Sequence, residues 1–183
     1  MPSRATFPIE IGGVKRDLVL FEVKPGLKIA IIDILGDTEL VQACARELAA
    51  RLQGYAFDVL VTAETKSIPL AHALSVEMNK PYVILRKSYK VYMGEAIQAE
   101  TVSITTGQPQ TLYLNEKDIP RVKGKKAAIV DDVISTGSTL EGMRTILKKA
   151  GASIVVEAAI FTEGDCEKWE KIIALGNLPL FTE

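Results

Sequence analysis

Short runs of apolar residues alternate along the chain with longer segments in which apolar residues recur at helical spacing. The runs that predict buried strands are Asp58–Thr62, Tyr82–Leu85, Lys126–Val130 and Ser153–Phe161. The segments that predict amphipathic helices are Asp37–Leu52, Ile68–Met78, Ser138–Ala150 and a stretch from about Cys166 to Leu175. Strands that alternate with helices are typical of an α/β protein with a central parallel sheet flanked by helices.

The N-terminal third and the middle of the chain carry weaker patterns. Asp17–Val23 and Lys28–Ile34 are compatible with strands or with part of a cap over the sheet. The stretch from Lys87 to about Thr111 is polar and has no firm period. A connection of that length in a compact α/β domain is usually either functional or mobile. No repeat or linker divides the 183 residues, so we expect a single domain.

The helix predicted from Ser138 to Ala150 has the clearest local signals. Ser138 and Glu141 have the spacing of a capping box, and an apolar stripe follows them. Two lysines and Gly151 at the other end are typical of a helix stop.

The composition narrows the function classes. Hydrophobic residues make up 48% and charged residues 25%, with 22 basic against 23 acidic side chains. This balance gives no overall basic excess to hold a nucleic acid, although a local basic patch stays possible. No apolar run approaches the roughly 20 residues of a membrane span, and the N-terminus lacks the features of a secretory signal. We therefore expect a cytoplasmic protein without membrane or nucleic-acid partners, in which Cys44 and Cys166 are reduced thiols.

The stretch that indicates function runs from Ile129 to Thr139. A predicted strand ends there in Asp131 and Asp132, and a run of small residues leads into a helix. In open α/β sheets, ligands bind beyond the carboxyl ends of the strands, and the N–H groups of a helix N-terminus attract anions. The run that suits a phosphate is Ser135, Thr136, Gly137, Ser138 and Thr139. The two carboxylates suit hydroxyl donors or a metal ion, so a ribose 5-phosphate would satisfy the whole stretch.

Other nucleotide-binding and phosphate-handling folds fit this stretch less well. Response-regulator receivers also carry acids after a strand, but too few residues follow Asp132 to complete that fold. Neither the P-loop pattern nor the G-x-G-x-x-G pattern of dinucleotide-binding proteins occurs in the sequence.

The same stretch resembles the signature of the type I phosphoribosyltransferases, in which a hydrophobic strand, two acids and a T-G-[GS]-T turn follow one another. The match covers Asp131, Asp132 and the turn from Thr136 to Thr139. The resemblance implies the type I phosphoribosyltransferase fold, with a small N-terminal hood over about residues 1–37 and a mobile flap over residues 87–111.

Two further segments resemble the purine branch of this family. The segment Glu64-Thr65-Lys66-Ser67 resembles the diphosphate loop of adenine and archaeal hypoxanthine phosphoribosyltransferases, with Lys66 in place of an arginine and Ser67 in place of a glycine. The segment that starts at Arg86 resembles the R-K-x-x-K run that leads into the flap of adenine and xanthine enzymes. Its matching residues are Arg86, Lys87 and Lys90.

The resemblance implies a purine salvage enzyme that transfers ribose 5-phosphate from 5-phosphoribosyl-1-diphosphate to a purine and releases diphosphate. Adenine is favoured, with hypoxanthine or xanthine as alternatives, because Ser135 stands where hypoxanthine-guanine enzymes carry an aspartate. The family also implies Mg²⁺ held mainly by the donor, with Asp131 and Asp132 nearby, and a homodimer. The reaction needs positioning and stabilisation of the leaving diphosphate more than covalent chemistry.

The resemblance also assigns roles to individual residues. Those expected to act in catalysis are Asp131, Asp132, Lys90 and Arg86. Those expected to bind the substrates are Glu64, Thr65, Lys66, Ser67, Lys87, Ser135, Thr136, Gly137, Ser138, Thr139, Ile34 and Leu35. The last two are expected to line the base, and Glu95 and Glu100 are candidate acids of the flap.

Two other functions stay open, and a few conspicuous residues favour structural roles. A ligand-sensing regulator of the same fold would need an added winged-helix domain or a basic face, and the chain offers no room for the former. A phosphoribosyl-binding subunit without activity is the other alternative. His72 and Trp169 are expected to pack or lie at the surface, whereas Tyr89 and Tyr92 could stack on a base from the flap.

Overall fold

The computed structural model describes residues 5–102 and 109–182. In that part of the chain the strands are β1 (Thr6–Ile11), β2 (Val14–Lys24), β3 (Leu27–Ile31), β4 (Val59–Ala63), β5 (Tyr82–Leu85), β6 (Ile97–Val102), β7 (Pro109–Leu114), β8 (Lys126–Ile134), β9 (Ser153–Glu163), β10 (Ile173–Leu178) and β11 (Phe181–Thr182). The helices there are α1 (Thr38–Leu52), α2 (Ile68–Met78), α3 (Ile119–Val122) and α4 (Ser138–Lys149). Among these helices, none has the length and apolar character needed to cross a membrane.

The centre of the molecule is a five-stranded sheet in the order β10-β9-β8-β4-β5, and every neighbouring pair of strands is parallel. All five residues of β4 are buried, as expected for a parallel strand whose two faces are both covered. The predicted α/β architecture with a central parallel sheet is confirmed.

Each face of the central sheet has its own apolar core. On one face, α1 and α2 contribute leucines that pack against the strands, including Leu48 and Leu74, each fully buried. On the other face, α4 packs between the sheet and the β6–β7 hairpin, with Met143 and Ile146 against Leu112. Strand β8 lies between β9 and β4, and its carboxyl end extends past its pairing with β4, which ends at Ile129, while its pairing with β9 continues to Ile134.

The N-terminal third forms a second sheet, with the order β1-β2-β3-β11 and antiparallel pairing throughout. The two segments left open between strand and cap therefore belong to β2 and β3, and we call this sheet the hood. Its fourth strand, β11, comes from the other end of the chain. The bidentate contact of Arg16 in β2 with Asp37, the N-cap residue of α1, joins the hood to the core at 2.7 and 2.9 Å.

The prediction of a helix from about Cys166 to Leu175 is wrong. Glu167–Trp169 form a single 3₁₀ turn, and the residues from Ile173 onward form β10, an edge strand parallel to β9. Pairing with β9 overrides the short helical period, since the free edge of β9 offers backbone hydrogen bonds. Gly176 supports this arrangement, because a β-carbon there would lie 3.0 Å from the Phe161 ring.

The prediction of a capping box at Ser138 is also wrong. Gly137 is the N-cap residue of α4, and Ser138 is the first residue of the helix. Gly137 has a φ angle of +85°, a left-handed conformation that favours glycine over any residue with a β-carbon.

Two further segments differ in the structure from the boundaries predicted for them. Strand β8 continues through the two aspartates to Ile134, so these residues lie within the strand rather than after it. The polar stretch from Lys87 to about Thr111 contains most of the antiparallel β6–β7 hairpin. The predicted mobile flap of residues 87–111 includes residues 103–108, which lie outside the described part of the chain.

Candidate active site

The two aspartates lie side by side at the carboxyl end of β8. Asp131 is 7% exposed, and its Oδ1 accepts a hydrogen bond from the Asp132 backbone N–H at 3.0 Å. Burial, and then the charge of the neighbouring Asp132, raise the pKa of Asp131 well above its usual range. A hydroxyl donor or a cation placed here would stabilise the charged form of the pair, so these residues suit a diol or a metal-bound oxygen.

The turn from Ser135 to Thr139 joins β8 to α4. The Thr136 and Ser138 hydroxyl oxygens lie 3.1 Å apart, and the Ser138 backbone N–H points to the Thr136 hydroxyl at 3.4 Å. The turn residues and Asp131 line one cavity of about 190 Å³. The backbone N–H groups at the start of the 12-residue helix α4 supply a favourable partial charge for an anion in this cavity. We call the turn from Ser135 to Thr139 the phosphate turn.

The segment Glu64–Ser67 joins β4 to α2 next to the aspartates. Ser67 is buried, donates to the Ala63 carbonyl at 3.0 Å, and lies within hydrogen-bonding reach of Asp131. The peptide bond between Glu64 and Thr65 is cis. The Lys66 ammonium donates to the Ile32 carbonyl at 3.3 Å, which links this segment to the residues that follow β3.

Arg86 lies just after β5 and connects this segment to the hairpin. Its side chain forms an ion pair with Glu64, whose carboxylate also accepts the Lys87 backbone N–H at 2.7 Å. Its backbone exchanges two hydrogen bonds with Tyr113 in β7, each of 2.8 Å. The side chains of Lys87 and Lys90 are exposed. The carboxyl ends of β4, β5 and β8 thus bring a turn rich in hydroxyls, two carboxylates and several basic side chains to one edge of the sheet.

This arrangement agrees with a comparison against protein families. A family model of the phosphoribosyl transferase domain matches residues 32–174. The chain belongs to this family. The family membership inferred from the aspartates and the T-G-[GS]-T turn is therefore confirmed.

Curated relatives of this phosphoribosyl transferase domain include transcriptional repressors and enzymes. The repressors are represented by the purine biosynthesis transcriptional repressor PurR of Bacillus subtilis, 29% identical over 161 residues, or 85% of this chain and 56% of the repressor. The enzymes are represented by the hypoxanthine/guanine phosphoribosyltransferase of Methanococcus voltae, 40% identical over 108 residues, or 59% of this chain and 54% of the relative. The chain spans about half the length of these relatives.

Solved structures of adenine phosphoribosyltransferases share the fold. The enzyme of Thermoanaerobacter pseudethanolicus gives a TM-score of 0.74 at 21% identity, with 87% of this chain and 95% of that chain covered. The Giardia lamblia enzyme, solved with 9-deazaadenine, gives 0.72 at 18% identity, with 87% and 93% covered. At these identities the likeness shows the fold alone.

Ile34 and Leu35 are not among the residues that line the cavity of Asp131 and the phosphate turn. Ile34 is fully buried and lines a separate cavity of about 320 Å³ between α1 and α2, whereas Leu35 is 47% exposed. That cavity is also lined by Pro69 and His72, and neither Asp131, Asp132 nor any residue of the phosphate turn lines it. A role of Ile34 and Leu35 in base binding stays a prediction.

The residues considered for the flap, two glutamates and two tyrosines, lie within β6 or between β5 and β6. Glu95 and Glu100 are exposed. The Tyr89 ring packs at 5.9 Å from the Tyr113 ring and its hydroxyl donates to the Gly94 carbonyl, while Tyr92 is 71% exposed. Tyr89 therefore holds the turn between β5 and the hairpin in the described structure.

Sequence reasoning missed three residues around the turn. Gln110 of β7 lines the cavity of the phosphate turn. The turn is also covered by Trp169, whose ring would lie 2.6 Å from a β-carbon on Gly137, and by Lys168, whose ammonium donates to the Thr136 carbonyl at 3.3 Å. No local signal in the sequence reports these contacts, because 32 residues separate Lys168 from Thr136.

Proposed function

We propose that this chain is a purine phosphoribosyltransferase. It transfers ribose 5-phosphate from 5-phosphoribosyl-1-diphosphate to a ring nitrogen of a purine and releases diphosphate. The observation that carries the proposal is the single cavity that Asp131 shares with the whole phosphate turn. A ligand with a phosphate at one end and a diol a few bonds away matches that pairing of chemistries.

Each part of the donor has a matching group in the site. The phosphate turn binds the 5-phosphate through backbone N–H groups and hydroxyls. Asp131 and Asp132 accept hydrogen bonds from the ribose hydroxyls, which favours their charged forms. The segment from Glu64 to Ser67, together with Lys87 and Lys90, lies on the side where the diphosphate leaves.

The residues present fit a magnesium ion only as part of a larger ligand set. In the described part of the chain, no cluster of three or more acidic, histidine or cysteine side chains is arranged to hold a metal by itself. Two carboxylates that leave the other positions to phosphate oxygens and water are a usual Mg²⁺ arrangement, so Asp131 and Asp132 would hold it with the donor. When bound, the ion would neutralise charge on the diphosphate.

The chain's own groups then act by position and charge. Breaking the bond at C1 of the ribose places positive charge on the sugar and negative charge on the leaving group. Asp131 and Asp132 stabilise the sugar, and the lysines stabilise the diphosphate. Lys66 differs from Lys87 and Lys90 because its ammonium is directed to the Ile32 carbonyl, so we expect it to turn toward the diphosphate when the donor binds.

The direct test removes both carboxylates. Asp131→Asn together with Asp132→Asn should abolish transfer and leave the fold intact, measured as nucleotide formed from 5-phosphoribosyl-1-diphosphate, Mg²⁺ and a base. Asp17→Asn is the matched control, because Asp17 is an exposed carboxylate of the hood. Turnover near that of the wild type in the double variant would refute the proposal.

The same assay identifies the base. The Glu64–Ser67 and Arg86–Lys90 segments resemble adenine enzymes and archaeal hypoxanthine enzymes, and relatives named hypoxanthine/guanine phosphoribosyltransferases favour hypoxanthine and guanine. Adenine, hypoxanthine, guanine and xanthine are supplied separately with the donor. The base with the highest kcat/KM is the physiological candidate. If no nucleotide forms with any of the four bases, the result counts against a purine enzyme.

A second candidate function is a regulator that senses the donor without turning it over. The match to a transcriptional repressor over 85% of this chain favours it. A regulator of this kind would bind 5-phosphoribosyl-1-diphosphate and show no transfer with any base, and its affinity for DNA would change with the donor. A gel-shift titration with and without the donor, run beside the transfer assay, distinguishes the two functions.

A further inference from the structure

The phosphate turn lacks a cation of its own. Its residues are uncharged, and the charged residues within four positions of it in sequence are the carboxylates of Asp131, Asp132 and Glu141, which repel a phosphate. The hydroxyls and the helix N-terminus offset only part of a charge that approaches −2 for a sugar phosphate at neutral pH. A nearby lysine or arginine would therefore add substantially to binding.

Three basic side chains line the groove beside the turn: Arg144, Lys168 and Lys171. Among the described residues, only Lys168 of these three has a hydrogen bond to the turn. Arg144 of α4 is occupied, because it forms ion pairs with Glu141 and Glu157. Lys168 has no carboxylate partner in the described residues, and its ammonium donates to the Thr136 carbonyl at 3.3 Å. An ammonium has three N–H donors, so this contact leaves others for a ligand held by the same turn.

The Trp169 ring fixes the position of this ammonium relative to the turn. The Lys168 ammonium lies 4.4 Å from the centre of the Trp169 ring, in the geometry of a cation–π interaction. The same ring packs on Gly137, where a β-carbon would approach it to 2.6 Å. Gly137, Trp169 and Lys168 therefore form one stack. The cation lies against the backbone of Thr136 and Gly137, the two residues that the groove shares with the cavity of Asp131.

We propose that Lys168 is a further binding residue for the 5-phosphate and that Trp169 is the positioning residue that holds it there. This inference rests on the proposed function, because it assumes that the phosphate turn receives a phosphorylated ribose. Lys168 comes from the loop after β9, so the phosphate is bound from two sides, by the start of α4 and by this loop.

The test compares ribose 5-phosphate with inorganic diphosphate by calorimetry, because only ribose 5-phosphate carries the group that the turn receives. Lys168→Ala should weaken ribose 5-phosphate binding about tenfold, the effect of losing one hydrogen bond to a charged group, and leave diphosphate binding with Mg²⁺ unchanged. Lys168→Arg should recover part of the loss. Lys171→Ala is the matched control, since Lys171 lines the same groove and has no contact with the turn in the described residues.

Trp169 variants separate positioning from stability. Trp169→Phe keeps an aromatic ring over Gly137 and should bind ribose 5-phosphate within about twofold of the wild type. Trp169→Leu removes the aromatic face and should weaken binding about as much as Lys168→Ala does, with the folded fraction checked by urea denaturation.

The outcomes separate this inference from the proposed function. If wild-type protein fails to bind ribose 5-phosphate, the proposed function is refuted, and the role of Lys168 is refuted with it. If wild-type protein binds and Lys168→Ala binds equally well, the role of Lys168 alone is overturned. Equal losses in Lys168→Ala and Lys171→Ala would also overturn it, because general charge in the groove would then explain the effect.

Discussion

Replacement of Gly137 by alanine tests how the phosphate turn is built. The added β-carbon has two separate consequences. It forces a residue with a side chain into a φ angle of +85°, and it places a carbon 2.6 Å from the Trp169 ring. Gly124 offers a matched comparison, because its φ angle is +71° and a β-carbon there would meet nothing within 4 Å.

Each consequence lowers the free energy of unfolding by an amount that follows from the geometry. A left-handed conformation costs about 1–2 kcal/mol for an L-residue other than glycine, so Gly124→Ala should lower the free energy of unfolding by that amount. Crowding of a packed aromatic ring adds about 1–3 kcal/mol, so Gly137→Ala should lower it by roughly 2–5 kcal/mol. For a domain of this size, each kcal/mol corresponds to about 2–4 °C in Tm.

Urea denaturation and ribose 5-phosphate binding form the assay. Gly137→Ala should be the less stable variant and should also lose affinity for ribose 5-phosphate, whereas Gly124→Ala should keep it. Trp169→Leu in the Gly137→Ala background should recover part of the stability, since the two residues are in contact. Equal destabilisation by the two alanine substitutions would refute the reasoning, because the contact with Trp169 would then contribute nothing.

Three further predictions concern titratable groups. Burial raises the pKa of the Cys44 thiol to about 12, so an alkylating reagent should label only the exposed Cys166 in native protein and both thiols in urea; native labelling of both would contradict this. Burial also raises the pKa of Glu163, so its charged carboxylate destabilises the folded state once pH exceeds the ordinary value of 4.5. Glu163→Gln should therefore raise Tm at pH 7 but not at pH 4. The Arg16 guanidinium lowers the pKa of Asp37. This ion pair stabilises the fold at pH values above the ordinary value of 3.8, and the stabilisation is lost as pH falls below it. Arg16→Met should therefore lower Tm at pH 7, and the gap to the wild type should narrow as pH falls below about 4; an unchanged gap would contradict it.

The order of residues along the chain was enough to predict the parts of the protein whose structure is local. The apolar runs of β4 and β5 and the periodic helices α1 and α2 match their predicted positions closely, because burial on both faces and a 3.6-residue period leave clear patterns. The sequence also predicted that the aspartates and the phosphate turn lie together between a strand and a helix, as the structure shows. Residues that follow one another along the chain form this part of the candidate site, so a local pattern is enough to predict it.

Pairing between distant segments was settled only in the folded protein. Residues Ile173–Leu178 form a strand because the edge of β9 is free to pair, although their surroundings have a helical period. The hood is completed by β11, whose partner Lys28 lies more than 150 residues earlier in the chain. Lys168 and Trp169 reach the phosphate turn only because the loop after β9 folds back over α4. Such contacts are set by sheet order and packing, and these leave no periodic trace in the sequence.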